Sequence, residues 1–252
     1  MIGRQKLLTY LNELLQPETY RDYCPNGLQV EGKKDIHTII TGVTACQALI
    51  DQAIDEKADA LLVHHGFFWK GEPAEITGIK KNRISALLKH HINLIAYHLP
   101  LDGHLDYGNN TQLGVLLGFD NAREVPSSAG KNILMQGALP NPSTPEAFAQ
   151  LLENKLDRKP LHIIADKPEI KTIAWCTGGA DKLIAEAKAA GVDAFISGEI
   201  SEPTTHFARE ANIHYFAAGH HATERYGVKA LGEHLANVFP VNVSFVDIDN
   251  PV

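Results

Sequence analysis

The chain alternates short apolar runs rich in β-branched residues with segments of helical periodicity, and this alternation restricts its fold more than any other feature. Short β-branched runs are typical of buried strands, and the helical segments between them are typical of crossovers that join parallel strands. We therefore predict an α/β fold. The predicted strands are 37–43, 60–64, 93–97, 133–139, 171–176, 194–197, 213–217 and 241–248.

Two stretches of the chain resemble each other. Ile39–Gly66 aligns without gaps on Ile173–Ile200, an offset of 134 positions (173 − 39), and the alignment pairs Asp59 with Asp193. One interpretation is an internal duplication. The other is chance, because strand–helix units rich in Ile, Leu and Ala resemble one another easily.

A duplication predicts two similar α/β lobes related by a pseudo-twofold axis, with a metal site in the cleft between them. We expect the first lobe to span 1–125, a connecting or edge segment 126–168, and the second lobe 169–252, completed by the N-terminal or central segments. A helix start is predicted at Thr144, because Pro145 follows at the first helical position.

Imidazole and carboxylate groups follow the predicted strands at several places, and this combination predicts a metal site at the strand ends. Three imidazoles and two carboxylates are too many for one catalytic zinc and suit two divalent ions that share a bridging hydroxide. Such donor sets accept several metals, so Fe, Zn and Mn are all candidates, as are Co and Mg. The predicted ligands are His64, His65, Asp102, His220 and Glu224.

Local geometry bears on whether these residues can share a site. Adjacent residues of an extended strand point to opposite faces, but a strand end that runs into Gly66 can turn, so His64 and His65 could serve neighbouring ions. If a helix begins at His220, Glu224 lies on the same face of its first turn.

Two further residues are candidates for orienting a ligand or transferring a proton. His98 takes the place of His220 at an offset of 122 positions (220 − 98), and Glu199 aligns on His65 at the offset of 134. We expect Asp102 on a loop that leaves a strand. His98 and Glu199 have an equally good interpretation as structural hydrogen-bonding groups, and paired histidines also occur on protein surfaces.

Composition excludes several classes of protein. The net charge is −7 and no run of Lys or Arg is present, which argues against a dedicated binder of nucleic acids or anionic membranes. Cys24, Cys46 and Cys176 are odd in number and show no CxxC spacing, which favours free thiols in a reducing compartment. The N-terminal residues show no signal peptide or membrane span, so we expect a cytoplasmic protein.

Several separated motifs resemble the GTP cyclohydrolase I type 2 family, also called the NGG-interacting-factor-like family. The resemblance covers nearly the whole chain, and the chain lacks the large inserted domain of longer members. The motifs that carry it are Asp22–Val30, Val63–Gly66, Leu99–Asp102, Gly108–Asn110, Ser197–Glu199 and Gly219–Glu224.

The resemblance implies two α/β lobes with a two-metal site in the cleft, assembled as a hexameric toroid. It implies the same five metal ligands, with one or both carboxylates bridging. The implied activity is hydrolysis of a nucleotide-like or other small molecule, and opening of the guanine ring of GTP follows from the family name only. Two alternatives stay open, namely a metal-binding scaffold or regulatory protein without turnover and, more weakly, a protein that stores or handles metal.

Overall fold

The computed structural model describes residues 1–252, which divide into two compact units. The first unit comprises Met1–Leu101 and Val228–Asp249, and the second comprises Asp102–Gly227 and Asn250–Val252. Each unit is therefore made from two stretches of chain. The consecutive three-part division of the sequence stays a prediction.

The first unit contains a five-stranded sheet and a two-stranded ribbon. Its elements are β1 (Ile2–Gly3), α1 (Arg4–Leu15), β2 (Gly27–Val30), β3 (Asp35–Ile36), β4 (Thr38–Thr44), α2 (Gln47–Asp55), β5 (Ala60–His65), α3 (Gly78–Lys89), β6 (Asn93–Ala96) and β13 (Asn242–Phe245). The sheet has the strand order β13-β4-β5-β6-β2, in which β2 alone is antiparallel to its neighbour. Strands β1 and β3 form the antiparallel ribbon.

The second unit contains a six-stranded mixed sheet. Its elements are α5 (Asn109–Leu117), β7 (Asp120–Glu124), β8 (Met135–Ser143), α6 (Pro145–Leu156), β9 (Leu161–Ile163), β10 (Ile170–Trp175), α7 (Ile184–Ala189), β11 (Ala194–Ser197), α8 (Glu202–Glu210) and β12 (His214–Ala217). The strand order is β7-β8-β10-β11-β12-β9, with β10, β11 and β12 parallel. The unit boundaries fall inside two more helices, α4 (Leu99–Asp102) and α9 (His220–Val238).

The predicted α/β class is confirmed, and all eight predicted strands are present, as β4, β5, β6, β8, β10, β11, β12 and β13. The helix start at Thr144 is also confirmed, because its side chain accepts a hydrogen bond from the N–H of Ala147 at 3.2 Å. Asp102 differs from the prediction. It ends the short helix α4 instead of lying on a loop, since Pro100 is well tolerated in a first helical turn.

The two sheets repeat the same strand register. Ile39 pairs with Ala60 between β4 and β5, and Ile173 pairs with Ala194 between β10 and β11. Both partners are displaced by 134 positions (173 − 39 and 194 − 60), which is the offset of the sequence repeat. The equal register favours duplication over chance similarity.

Segments outside the repeat complete the sheets. Strand β13 lies near the C-terminus and pairs in parallel with β4 in the first unit. The segment 126–168 supplies β8, α6 and β9, and β8 lies between β7 and β10. Each unit has its own buried apolar cluster, and no helix has both the length and the apolar character needed to cross a membrane.

Candidate metal centre

The C-terminal end of β5 brings two imidazoles together in the first unit. The rings of His64 and His65 have their centroids 4.5 Å apart, so the turn into Gly66 does place neighbouring side chains side by side. His64 is fully buried, and its Nδ1 donates to the carbonyl oxygen of Tyr97 at 3.1 Å. With the proton on Nδ1, the Nε2 atom of His64 carries the lone pair that a metal ion requires.

His98 joins this pair. The ring centroids of His64 and His98 are 5.1 Å apart, and one nitrogen from each of His64, His65 and His98 lies within 4.8 Å of the other two. His98 Nδ1 donates to Asp22 Oδ1 at 2.8 Å, and its backbone N–H donates to Asn26 Oδ1 at 2.8 Å. A carboxylate on Nδ1 fixes both the tautomer and the direction of Nε2.

The charge of Asp22 is stabilised where it lies. Burial alone would raise its pKa, but the hydrogen bonds from His98, Asn26 and the N–H of Leu99 hold the pKa well below its ordinary value. Asp22 is therefore an anion that serves as a fixed acceptor for His98. Its side chain is engaged on both oxygens, which makes it a positioning group.

The second unit buries the two carboxylates that the sequence predicts as ligands. Asp102 is 6% exposed and Glu224 is 3% exposed. Asp102 Oδ1 accepts hydrogen bonds from Asn109 Nδ2 at 2.8 Å and from Thr177 Oγ1 at 3.3 Å. Burial, followed by the charges of Asp102 and Glu224, raises the pKa of the Cys176 thiol well above its ordinary value. Both carboxylates thus act on the same buried region, where negative charge is costly without a cation.

His220 lies between two carboxylates of the same unit. Helix α9 begins at His220. The Nε2 atom of His220 lies 3.1 Å from Oε2 of Glu224, which is four residues later on the same face of the helix. Its Nδ1 lies 2.6 Å from Oε1 of Glu199. Burial alone would lower the pKa of His220, but the two carboxylates raise it to about 9.

Gly178 makes room for this arrangement. Its φ is +68°, and a Cβ atom built there would lie 2.1 Å from Glu224 Oε1 and 3.1 Å from His220 Nε2. Any other residue at this position would therefore have to displace the carboxylate. The N–H of Gly178 donates to Thr223 Oγ1 at 3.0 Å, which ties the β10–α7 connection to the start of α9.

The predicted site residues fall into two groups. The first unit holds His64, His65 and His98 together, and the second holds Asp102, His220 and Glu224, with Glu199 bonded to His220. None of the three cysteines forms a disulfide, and Cys176 is a buried thiol.

Sequence reasoning missed the residues that orient these donors. They come from segments distant in the sequence. Asp22 and Asn26 could have been found from the cluster of polar residues at the start of the Asp22–Val30 motif. The missed residues are Asp22, Asn26, Asn109, Thr177 and Gly178.

A family model described as Duf34/NIF3 (NGG1p interacting factor 3) matches residues 2–251. The chain belongs to this family. This Duf34/NIF3 protein is 54% identical over 251 residues to a "GTP cyclohydrolase 1 type 2 homolog" of Vibrio cholerae, a match that covers 98% of each chain. A relative with the same name from Yersinia pestis is 51% identical over 247 residues and covers 98% of each chain. The resemblance found in the sequence motifs is confirmed.

Solved structures agree with the Duf34/NIF3 fold. The structure of protein ybgI, described as of unknown function, superposes with a TM-score of 0.95 at 46% identity, covering 100% of both chains. The TTHA1606 protein from Thermus thermophilus gives a TM-score of 0.90 at 32% identity, again covering 100% of both chains.

Proposed function

We propose that this Duf34/NIF3 chain is a hydrolase that depends on two divalent metal ions. The observation that carries the proposal is the burial of His64, Asp102 and Glu224, because carboxylates and imidazoles at strand and helix ends are rarely buried without a cation or another partner. The donor chemistry of mixed imidazole and carboxylate fits Fe, Zn or Mn. The proposed ligands are His64, His65, Asp102, His220 and Glu224.

Divalent ions in such a centre activate water for attack at neutral pH and polarise the substrate. His98 is proposed to move protons to and from the substrate, since the Asp22 carboxylate accepts from its Nδ1 and so leaves the lone pair on Nε2. Glu199 is proposed to orient His220 through the 2.6 Å contact at Nδ1.

The substrate class, the assembly and the compartment are proposed from the family and the composition. We propose a small-molecule substrate, nucleotide-like in the sense of the relatives' name, and a homo-oligomer, which the resemblance implies to be a hexameric toroid. The three free cysteines favour a reducing compartment such as the cytoplasm. Light scattering tests the assembly, and a mass of six chains is the expected result.

Glu224→Ala tests the proposed function, with Glu233→Ala as the control because Glu233 is an exposed glutamate of the same helix. Elemental analysis after dialysis should count two ions per chain in the wild type and the control, and at least one fewer in Glu224→Ala. The metal-loaded wild type should turn over a member of a panel of nucleotides, phosphoesters and amides, and Glu224→Ala should not.

Retention of both ions by Glu224→Ala would contradict the proposed ligands. A metal-loaded wild type that turns over nothing in the panel would contradict the hydrolase and favour a binding or scaffold role.

A further inference from the structure

Two aromatic side chains lie beside the histidines of the first unit. The rings of Tyr23 and Trp69 are 5.6 Å apart between centroids, and each is close to His98, at 5.0 Å for Tyr23 and 5.1 Å for Trp69. Trp69 also lies 5.9 Å from His65. We call Tyr23 and Trp69 the aromatic platform.

The platform is not needed to complete the hydrophobic core. Tyr23 is 53% exposed and Trp69 is half-buried, and neither belongs to the apolar cluster of this unit. The loop that carries Trp69 is already anchored by Phe67, which is buried in that cluster. Large aromatic surface that stays in water next to polar functional groups is typical of a binding site.

Hydrogen bonds hold the platform in place before any ligand arrives. The N–H of Lys70 donates to the carbonyl oxygen of Tyr23 at 2.7 Å, which joins the two loops directly. The side chain of Gln29 joins them a second time, because its Oε1 accepts from the N–H of Phe67 at 2.6 Å and its Nε2 donates to the carbonyl oxygen of Pro25 at 2.8 Å. A preformed surface loses little entropy when it binds a rigid ligand.

We propose that the aromatic platform stacks a planar heteroaromatic ring of nucleobase size and so selects the substrate. The side chains of Tyr23 and Trp69 carry no charge, and their π faces suit a flat ring better than a phosphate or a sugar. A ring stacked there would bring its substituents next to His65 and His98. The proposal rests on the proposed function for the reaction that follows, but the stacking itself needs no metal.

Tryptophan fluorescence offers a direct test. The chain has two tryptophans, and Trp175 is fully buried, so a ligand that stacks on the protein surface should quench Trp69. The probes are guanosine monophosphate and ribose 5-phosphate, which share sugar and phosphate and differ in the base. We expect saturable quenching of the metal-free protein by the nucleotide only, and none in Trp69→Leu.

Two substitutions separate the platform from general effects. Tyr23→Leu should weaken nucleotide binding by about fivefold or more, because one base–aromatic contact is lost. Phe207→Leu makes a matched change at an exposed aromatic residue of α8 and should leave binding unchanged. Equal responses to both probes, no response to the nucleotide, or wild-type affinity in Tyr23→Leu would overturn the proposal.

The metal content of the same proteins distinguishes this proposal from the proposed function. Tyr23→Leu and Trp69→Leu should hold as many ions as the wild type by elemental analysis. If the wild type holds no ions but shows the expected nucleotide response, the hydrolase proposal fails and the platform stands. If it holds two ions and hydrolyses a substrate but shows no stacking response, the platform proposal fails alone.

Discussion

Asp59 and Asp193, 134 positions apart, accept three equivalent hydrogen bonds in their respective units, and Asp193 accepts one more from the hydroxyl of Thr172. Each carboxylate accepts one bond from the ammonium group of a lysine 26 residues earlier, at 2.6 Å and 3.0 Å. Each also accepts from the backbone N–H groups 22 and 21 residues earlier, at 2.8–3.1 Å for Asp59 and 3.0–3.1 Å for Asp193. Two lobes that arose from one ancestor would share such a network.

Because the two networks are alike, replacing either aspartate should destabilise the fold. Asp59→Asn and Asp193→Asn should each lower the free energy of unfolding by about 1–3 kcal/mol, because a charged acceptor of partly buried N–H groups is lost. Asp193 is the more exposed of the two and should be at the lower end. Urea unfolding measures the change. Asp55→Asn, on the exposed end of α2, should alter stability by less than about 0.5 kcal/mol, and an equal loss there would refute the assignment.

Gly178→Ala should weaken metal binding by about 10–100-fold, a loss typical of disturbing the support of a ligand. The added methyl group would meet Glu224 Oε1 and push the carboxylate out of place. Gly191→Ala is the matched control, because Gly191 also has a positive φ of +79° but open space around its Cβ position. Calorimetric titration with Zn²⁺ or Mn²⁺ compares the two, and equal affinities would contradict this role of Gly178.

Glu199→Gln tests how His220 is oriented. The amide can no longer provide a charged acceptor for Nδ1, so the affinity for metal should fall by about tenfold or more. Glu202→Gln is the control, because it removes the charge of a nearby glutamate whose side chain is 85% exposed. The ion pair of Glu202 is with His206, which is also exposed. Glu202→Gln should bind metal like the wild type. A similar loss in both variants would point to a general effect of charge.

A pair of histidines, His214 buried and His162 partly buried, makes stability depend on pH. His162 Nε2 lies 3.0 Å from His214 Nδ1, and the Nε2 of His214 donates to the carbonyl oxygen of Lys167 at 3.0 Å. Burial, followed by the charge of His214, lowers the pKa of His162 from 6.5 to about 4. Burial also lowers the pKa of His214. Both rings are therefore neutral in the folded protein at neutral pH.

Between these pKa values the unfolded chain binds more protons than the folded one, so stability falls as the pH falls from about 6.5 to about 4. His162→Gln removes one titrating ring and should make the urea midpoint of the metal-free protein less dependent on pH over this range. His206→Gln, at an exposed position of α8, should leave the dependence unchanged. An undiminished slope in His162→Gln would be inconsistent with the burial effect.

The buried parallel strands were predictable because short, mainly apolar runs such as β4 and β11 have no other good environment. Of the edge strands of the two larger sheets, β2, β7 and β9 were not predicted. Strand β7 consists of exposed residues, so its sequence shows no apolar pattern that would predict a strand paired with β8. Strand β13 is apolar enough to predict, but its partner β4 lies about 200 positions earlier, and sequence pattern gives no information on such a pairing.

Candidate donors were predictable, whereas their supports were not. The spacing of His220 and Glu224 corresponds to one turn of helix, and such local geometry can be read directly from a sequence. The contact of Asp22 with His98 joins a loop to a strand end across 76 positions, and only the folded chain brings them together. The aromatic platform arises in the same way, from two loops tied by one backbone hydrogen bond and by the side chain of Gln29.

Anomalous diffraction from crystals of the metal-loaded protein, recorded at the absorption edge of the bound metal, tests the proposed two-metal centre most directly because it both counts and locates the ions. We predict two peaks per chain, about 3.5–4 Å apart, with His64, His65, Asp102, His220 and Glu224 as the protein ligands. A single peak, or two peaks bound by other side chains, would contradict this prediction.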